Sequence, residues 1–340
     1  MSQGELAKVD ALDAQGRHTE AIAALARATG VGDVGAMAAL GGRLLVGDRG
    51  PCIPVEGARF LFEAAQRGQP DAQERAAALL AGGVYATQSW PSALKMLGLA
   101  AANGNRSARS QLLAMTGMSD PAGHWEKLPS QFDLATWLGT PPSERVRDDA
   151  SILRFPELLS DPICEWLIDR SRGRLVRARV YDPIRQQETV REMRNNTTAT
   201  FGIAEVSVLH FLIQARMASG CGAPLTHFEA PAVLHYDVGE QITPHFDFID
   251  PRSPDYEQQI KVQGQRISTF LIYLNDGYEG GETGFPEIGI EHRGSRREGL
   301  LFANIDAQGN PDLRMLHAGK APTSGEKWIL SQFIRRHPVR

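Results

Sequence analysis

Hydrophobic and polar positions fall into two regimes along the chain. From about residue 5 to 115 the apolar residues are mostly alanine and leucine with interspersed glycine, set at helical spacing with little strand character. Sliding this stretch against itself gives a match at 36 residues. Leu25, Leu61 and Leu97 align, as do Ala28, Ala64 and Ala100, and Ala36, Ala72 and Ala108. Gly32, Gly68 and Gly104 hold the same register, and Gly47 aligns with Gly83. Alanine lets paired helices approach closely, and glycine at a fixed point ends a helix in a left-handed turn. A period of this size predicts a solenoid of antiparallel helical hairpins, of fewer than three full repeats.

Residues 116–150 break the period with Pro121, Gly123, Pro129, Gly139, Pro141 and Pro142. They read as a linker or an irregular packed connection, in which Trp125 and Trp137 point to docking rather than a free tether. Beyond it the grammar changes. A short apolar strand opens at 151–159, and Asp161-Pro162 starts a helix over 163–172, with aspartate as cap and proline at the first position. Residues 175–181 alternate as a strand, 182–196 read as a polar loop, and 206–217 as a second helix. From Phe228 onward short apolar runs alternate with turn signals at Gly280-Gly281, Gly294-Ser295 and Gly309-Asn310. The fold class is therefore α+β: a helical repeat (solenoid) domain over 5–115, a linker over 116–150, and a jelly-roll double sheet over 151–340 braced by helices. The polar stretches 182–196 and 250–265 read as lids flanking a site at the barrel mouth.

Composition narrows the class of function. A net charge of -4 gives no electrostatic case for nucleic acid. The three cysteines, Cys52, Cys164 and Cys221, are widely spread and form neither a disulfide framework nor a zinc pattern, which points to a reducing compartment. No apolar run reaches the roughly 18 residues of a membrane span. The start lacks a basic segment followed by an apolar core. The expectation is a cytoplasmic protein that neither spans a membrane nor binds nucleic acid.

Candidate chemistry centres on His245-Phe246-Asp247. In an extended chain alternate side chains share a face, so His245 and Asp247 can grip one ion. His317, 70 residues after Asp247, would complete a two-histidine, one-carboxylate face. Such a face leaves positions open on iron(II) for a cosubstrate and oxygen. Lys327 follows His317 by 10 residues, and a strand there would aim its ammonium into the barrel. A buried cation needs an anionic partner. A dicarboxylate cosubstrate would supply it, one end on iron and the other on Lys327.

Tyr236-x-x-Gly239-x-Gln241 leads into His245-x-Asp247. Arg266-x-x-Thr269-x-x-x-Tyr273-Leu274-Asn275 is followed by Gly280-Gly281-Glu282-Thr283-x-Phe285-Pro286, and His317-x-Gly319 runs to Gly325-x-Lys327-Trp328. This series resembles the prolyl 4-hydroxylase branch of the iron(II)/2-oxoglutarate dioxygenases, over roughly residues 151–337. The resemblance implies that His245, Asp247 and His317 bind iron and that Lys327 pairs with the distal carboxylate of 2-oxoglutarate. Thr269 and Tyr273 would line the cosubstrate site, with Tyr236 close by, Arg194 at the rim and Trp328 beside the pocket. It further implies consumption of O2, release of succinate and CO2, and ascorbate as reductant. An aspartate at position 247 speaks against halogenation, which needs a small residue there. Two positions depart from the family pattern: Ile242 stands where an aromatic residue is usual, and Phe333 where a second tryptophan is. His210, His227, His235, His292 and His337 match no ligand position and read as structural.

In the repeats, the Ala-Ala-x-x-Gly-x-x-x-Ala pattern at 64–72 resembles Sel1-like repeats, relatives of the tetratricopeptide repeat. Such stacks offer a concave face to a peptide or partner protein, or they merely brace a catalytic domain. The leading expectation is a hydroxylase of a prolyl residue in a protein or peptide that the repeats help to present. The alternatives are a hydroxylase of a free amino acid or small metabolite with structural repeats, and a non-catalytic scaffold.

Overall fold

The computed structural model describes residues 3–147, 151–178, 180–182, 187–189 and 194–339. It divides into two units, Met1–Asp133 with Ile203–Leu212, and Leu134–Gly202 with Ile213–Arg340. The boundary at 133/134 falls inside the proline-rich stretch.

The first unit holds α1 (Gln3–Ala14), α2 (His18–Gly30), α3 (Val34–Val46), α4 (Pro54–Gln66), α5 (Pro70–Gly82), α6 (Trp90–Ala102) and α7 (Arg106–Thr116). Helix starts at 18, 54 and 90, and again at 34, 70 and 106, carry the 36-residue offset into space. The described residues thus form three hairpins after α1. Each aligned residue has a physical task. Leu25, Leu61 and Leu97 are buried, and Ala36, Ala72 and Ala108 have no exposed surface at all. Gly32, Gly68 and Gly104 turn the chain between paired helices at φ +86°, +86° and +96°, a region closed to most side chains. The next residue then caps the following helix: Asp33, Gln69 and Asn105 each accept the N–H three positions on. Trp125 packs within this unit, with the Arg109 guanidinium 4.9 Å from its ring centre.

The second unit opens with α8 (Leu134–Leu138), β1 (Glu144–Arg145), β2 (Ile152–Phe155) and α9 (Asp161–Arg172). Next come β3 (Val176–Arg177), β4 (Val180–Asp182), β5 (Gln187–Thr189), β6 (Thr197–Thr200) and α10 (Val208–Cys221), of which the residues up to Leu212 count with the first unit. After them run β7 (Ala232–Tyr236), β8 (Ile242–His245), α11 (Tyr256–Gln263), β9 (Arg266–Tyr273), β10 (Glu279–Gly280), β11 (Thr283–Phe285) and β12 (Ile290–His292). The chain closes with β13 (Gly299–Ala303), β14 (His317–Gly319), β15 (Pro322–Ser324) and β16 (Lys327–Arg335).

One sheet has the order β1-β2-β13-β9-β16-β7-β6-β3 and a second β12-β11-β14-β8. From β7 onward the chain passes back and forth between them: β7, β9, β13 and β16 lie in the first, and β8, β11, β12 and β14 in the second. All their pairings are antiparallel. This winding is that of a double-stranded β-helix, or jelly roll. The space between the sheets is filled by side chains from both, among them Leu271, Tyr273, Phe302 and Ile329 from one and Phe285 from the other.

Four local expectations are corrected. Ser160, in extended backbone, takes the cap position of α9, and Asp161-Pro162 forms its first turn. The strand expected over 175–181 is divided between β3, which pairs with β6, and β4, which pairs with β5. The loop expected over 182–196 contains β5 and the end of that hairpin, while residues 183–186 and 190–193 lie outside the described residues. The loop expected over 250–265 contains α11. Its half-buried stripe is Tyr256, Gln259, Ile260 and Gln263, and the two glutamines conceal a helical period from any reading of hydrophobicity. Among the described residues no helix is long and apolar enough to cross a membrane.

Candidate active site

Strand pairing assembles the site. β8 ends at His245 and β14 begins at His317, and the two residues face each other across the β8–β14 ladder. Asp247 follows His245 at the two-residue interval that returns a side chain to the same face. Ligand atoms of His245, Asp247 and His317 all lie within 4.8 Å of one another. His245 Nε2 is 3.5 Å from Asp247 Oδ1 and His317 Nε2 is 3.3 Å from Oδ2.

Each imidazole is oriented from behind. Nδ1 of His245 lies 2.9 Å from the Thr243 carbonyl, and Nδ1 of His317 lies 3.0 Å from the Met315 carbonyl. A carbonyl can only accept, so Nδ1 carries a proton and Nε2 is the nitrogen left to the site: protonated it donates to the Asp247 carboxylate, and deprotonated it offers its unshared pair to a metal ion. Two neutral imidazole nitrogens and one carboxylate oxygen on a common face are the donor set of an iron(II) oxygenase centre. The residues present therefore fit the ion that the sequence implied. Burial alone would raise the Asp247 pKa, yet the charge of His317 and the hydrogen bonds of both histidines hold it well below the usual carboxylate range. His317 moves the other way: burial would lower it, but the charge of Asp247 raises it.

A cavity of about 490 Å³ opens beside the triad. His245, Asp247, His317, Tyr236, Lys327 and Arg194 all line it, with Thr283, Ile242, Arg266 and Phe333. Lys327 is fully buried and pairs with Tyr236 across β16 and β7. Its Nζ lies 5.2 Å from the Tyr236 ring centre and 5.9 Å from that of Tyr273, and it donates to the Gly281 carbonyl. Burial depresses its pKa to about 7, against a small opposing effect of Glu282. An ammonium held this way is short of negative charge, and the cavity is where it can find some.

Thr269, Tyr273 and Trp328 stand one layer back. The Thr269 hydroxyl lies 2.7 Å from Asp247 Oδ2. The Tyr273 hydroxyl lies 2.8 Å from Thr283 Oγ1, so Thr283, which the sequence did not single out, is the cavity wall that Tyr273 supports. Trp328 is buried on β16 with its ring 4.2 Å from that of His235. Ile242 lines the cavity with an aliphatic face and bridges to Arg194. Phe333 carries the Arg266 guanidinium 3.8 Å above its ring, and that guanidinium is also paired with Glu229 at 2.8 Å. Of the remaining histidines, His227 bonds the Arg335 carbonyl, His235 meets Thr197 and Glu326, and His292 pairs with Glu298.

Residues 231–335 match the sequence pattern of the 2OG-Fe(II) oxygenase superfamily. The chain is 32% identical over 187 residues to the prolyl 4-hydroxylase subunit alpha-1 of Rattus norvegicus, covering 55% of this chain and 35% of the relative. To the probable prolyl 4-hydroxylase 9 of Arabidopsis thaliana it is 28% identical over 201 residues, covering 53% and 67%. Among solved structures, the viral collagen prolyl hydroxylase of Paramecium Bursaria Chlorella virus-1 aligns at 24% identity and a TM-score of 0.42, over 56% of this chain and 99% of that one. The chain spans about a third of the length of the rat subunit. The matched stretch and the assembled triad coincide: over residues 231–335 this chain is similar to the 2OG-Fe(II) oxygenase superfamily, and His245, Asp247 and His317 all fall within that stretch.

Proposed function

We propose that this protein is an iron(II)- and 2-oxoglutarate-dependent hydroxylase acting on a prolyl residue of a protein or peptide, consuming O2 and releasing succinate and CO2. When bound, iron(II) couples oxidative decarboxylation of the 2-oxo acid to insertion of one oxygen atom into a C–H bond of the substrate. His245, Asp247 and His317 would hold the ion. Lys327, near the rings of Tyr236 and Tyr273, would bind the distal carboxylate of 2-oxoglutarate. Arg194 and Ile242 line the cavity beside them, Ile242 without offering a hydroxyl. Ascorbate serves as reductant, and the helical repeats help to present the substrate.

The observation that carries this reading is the Lys327 ammonium, fully buried at the cavity wall. Such a charge is costly unless an anion joins it, and a dicarboxylate that also reaches the triad meets both requirements. The prolyl preference is supported by the names of the relatives. The test is to incubate the full chain with iron(II), 2-oxoglutarate and O2, with and without a panel of proline-containing peptides. Succinate should rise with peptide, and the peptide should gain one oxygen atom on proline. Succinate release that no peptide accelerates, and that a free amino acid does, would transfer the reading to a small-molecule hydroxylase.

A further inference from the structure

Behind the triad lies a second group of polar side chains with no part in the chemistry above. Thr269, on β9, and Asn304, just beyond β13, are each only 1% exposed. Thr269 Oγ1 is 2.7 Å from Asp247 Oδ2, and Asn304 Nδ2 is 3.0 Å from Thr269 Oγ1. The Asn304 backbone is itself tied on both sides: its N–H donates to the Ile267 carbonyl at 2.9 Å, and its carbonyl accepts from Asp312 N–H at 3.0 Å. Asp312 in turn begins the short turn that delivers Met315 and His317.

Counting protons fixes the direction of this chain. An ionised carboxylate has no proton to give, so the single hydroxyl proton of Thr269 goes to Asp247. The hydroxyl oxygen can then only accept from Asn304, which must turn its amide NH2 toward it. No other orientation satisfies all three buried groups, and an unsatisfied one at this depth is costly.

We propose that Thr269 and Asn304 are positioning residues: together they hold Asp247 Oδ2 and so reserve Oδ1 for the metal ion. The inference rests on the proposed iron(II) site and assigns Thr269 to the metal ligand's support rather than to the cosubstrate wall. Asn304 does double duty, since the same residue anchors the turn ahead of His317. Carboxylate and histidine are thereby set against one reference point.

The test is titration of the full-length apoprotein with cobalt(II), read by its visible absorption, for wild type, Thr269→Val, Thr269→Ser and Asn304→Ala. Supports of metal ligands typically contribute 10–100-fold to metal affinity. Thr269→Val, which keeps the shape and loses the hydroxyl, should weaken cobalt binding by about that factor, and Asn304→Ala by roughly 10-fold. Thr269→Ser should restore affinity to within about threefold of wild type. At saturating cobalt, 2-oxoglutarate affinity should be the same in wild type and Thr269→Val. If Thr269→Val proves unfolded by circular dichroism, the Thr269→Ser and Asn304→Ala pair still decides. Equal cobalt affinities across the series would overturn the inference while leaving the metal site standing. Loss of 2-oxoglutarate affinity with cobalt affinity intact would overturn it in favour of a cosubstrate contact. A wild type that takes up no cobalt would overturn the proposed centre itself.

Discussion

Lys327 and Tyr236 face each other across β16 and β7, with the ammonium 5.2 Å from the centre of the phenol ring. The pair puts a charge where water does not reach, so proton binding at Lys327 is tied to whatever enters the cavity. Burial brings its pKa to about 7, and a bound dianion would raise it again. Affinity for 2-oxoglutarate should therefore be greatest below about pH 7 and fall as the pH rises toward 9, with proton uptake on binding. Calorimetry in buffers of different ionisation enthalpy measures both. Lys327→Met should weaken binding by roughly 100-fold or more and remove the pH dependence over this range.

The same residue sets a stability signature in the absence of cosubstrate. A lysine whose pKa is lower folded than unfolded binds fewer protons in the native state, so stability rises with pH between the two values. The penalty is fully present below the folded pKa of about 7 and is relieved as pH climbs toward the ordinary lysine value of 10.5. Lys327→Met should be more stable than wild type at pH 7, by on the order of a few kcal/mol, and the gap should shrink toward pH 10. Urea melts at the two pH values check it. A gap that widens with pH would contradict the assignment.

Metal binding should require all three ligands. His245→Ala, Asp247→Asn and His317→Ala should each reduce iron(II) uptake by at least about 100-fold, measured anaerobically. The absorption band of a chelated 2-oxo acid should vanish with it.

In the repeats, α3 and α4 touch through glycine. A Cβ on Gly57 would sit 2.5 Å from the Leu45 backbone nitrogen and 2.7 Å from the Gly41 carbonyl oxygen. Backbone cannot move aside as a side chain can, so Gly57→Ala should destabilise the helical unit by about 2–3 kcal/mol. Asn105→Ala, which deletes the cap of α7, should cost about 1 kcal/mol. Helical circular dichroism during urea unfolding resolves both, and Gly57→Ala melting like wild type would mean the helices can separate without loss.

Features set by neighbours in the chain were legible in the sequence. His245 and Asp247 share a face because of the two-residue period of extended backbone. Leu25, Leu61 and Leu97 fall in one register because a helical hairpin repeats. The caps of α3, α5 and α7 escaped notice because Asp33, Gln69 and Asn105 do one task with three different side chains, so self-comparison sees no match. Depth was also invisible. Thr269 and Tyr273 share a strand with Leu271, and only the fold shows that each hydroxyl reaches a cavity-lining residue rather than the cavity. Asn304 comes from another strand end, and an asparagine after an apolar run looks like any turn residue until Thr269 is brought beside it.

The pairing of His245 with His317 across β8 and β14 has a kinetic side. These strands meet only after the long intervening chain, with α11 and five strands, has been looped back, a contact of the kind that forms late. Strand register is strict at such a junction, because a slip of one residue would turn one histidine to the opposite face. An ion that needs both imidazoles binds only the correctly registered ladder and so biases the chain against its misaligned neighbours. Refolding with and without metal should then differ in the yield of aligned chains, so that the centre acts as a proofreader of its own assembly.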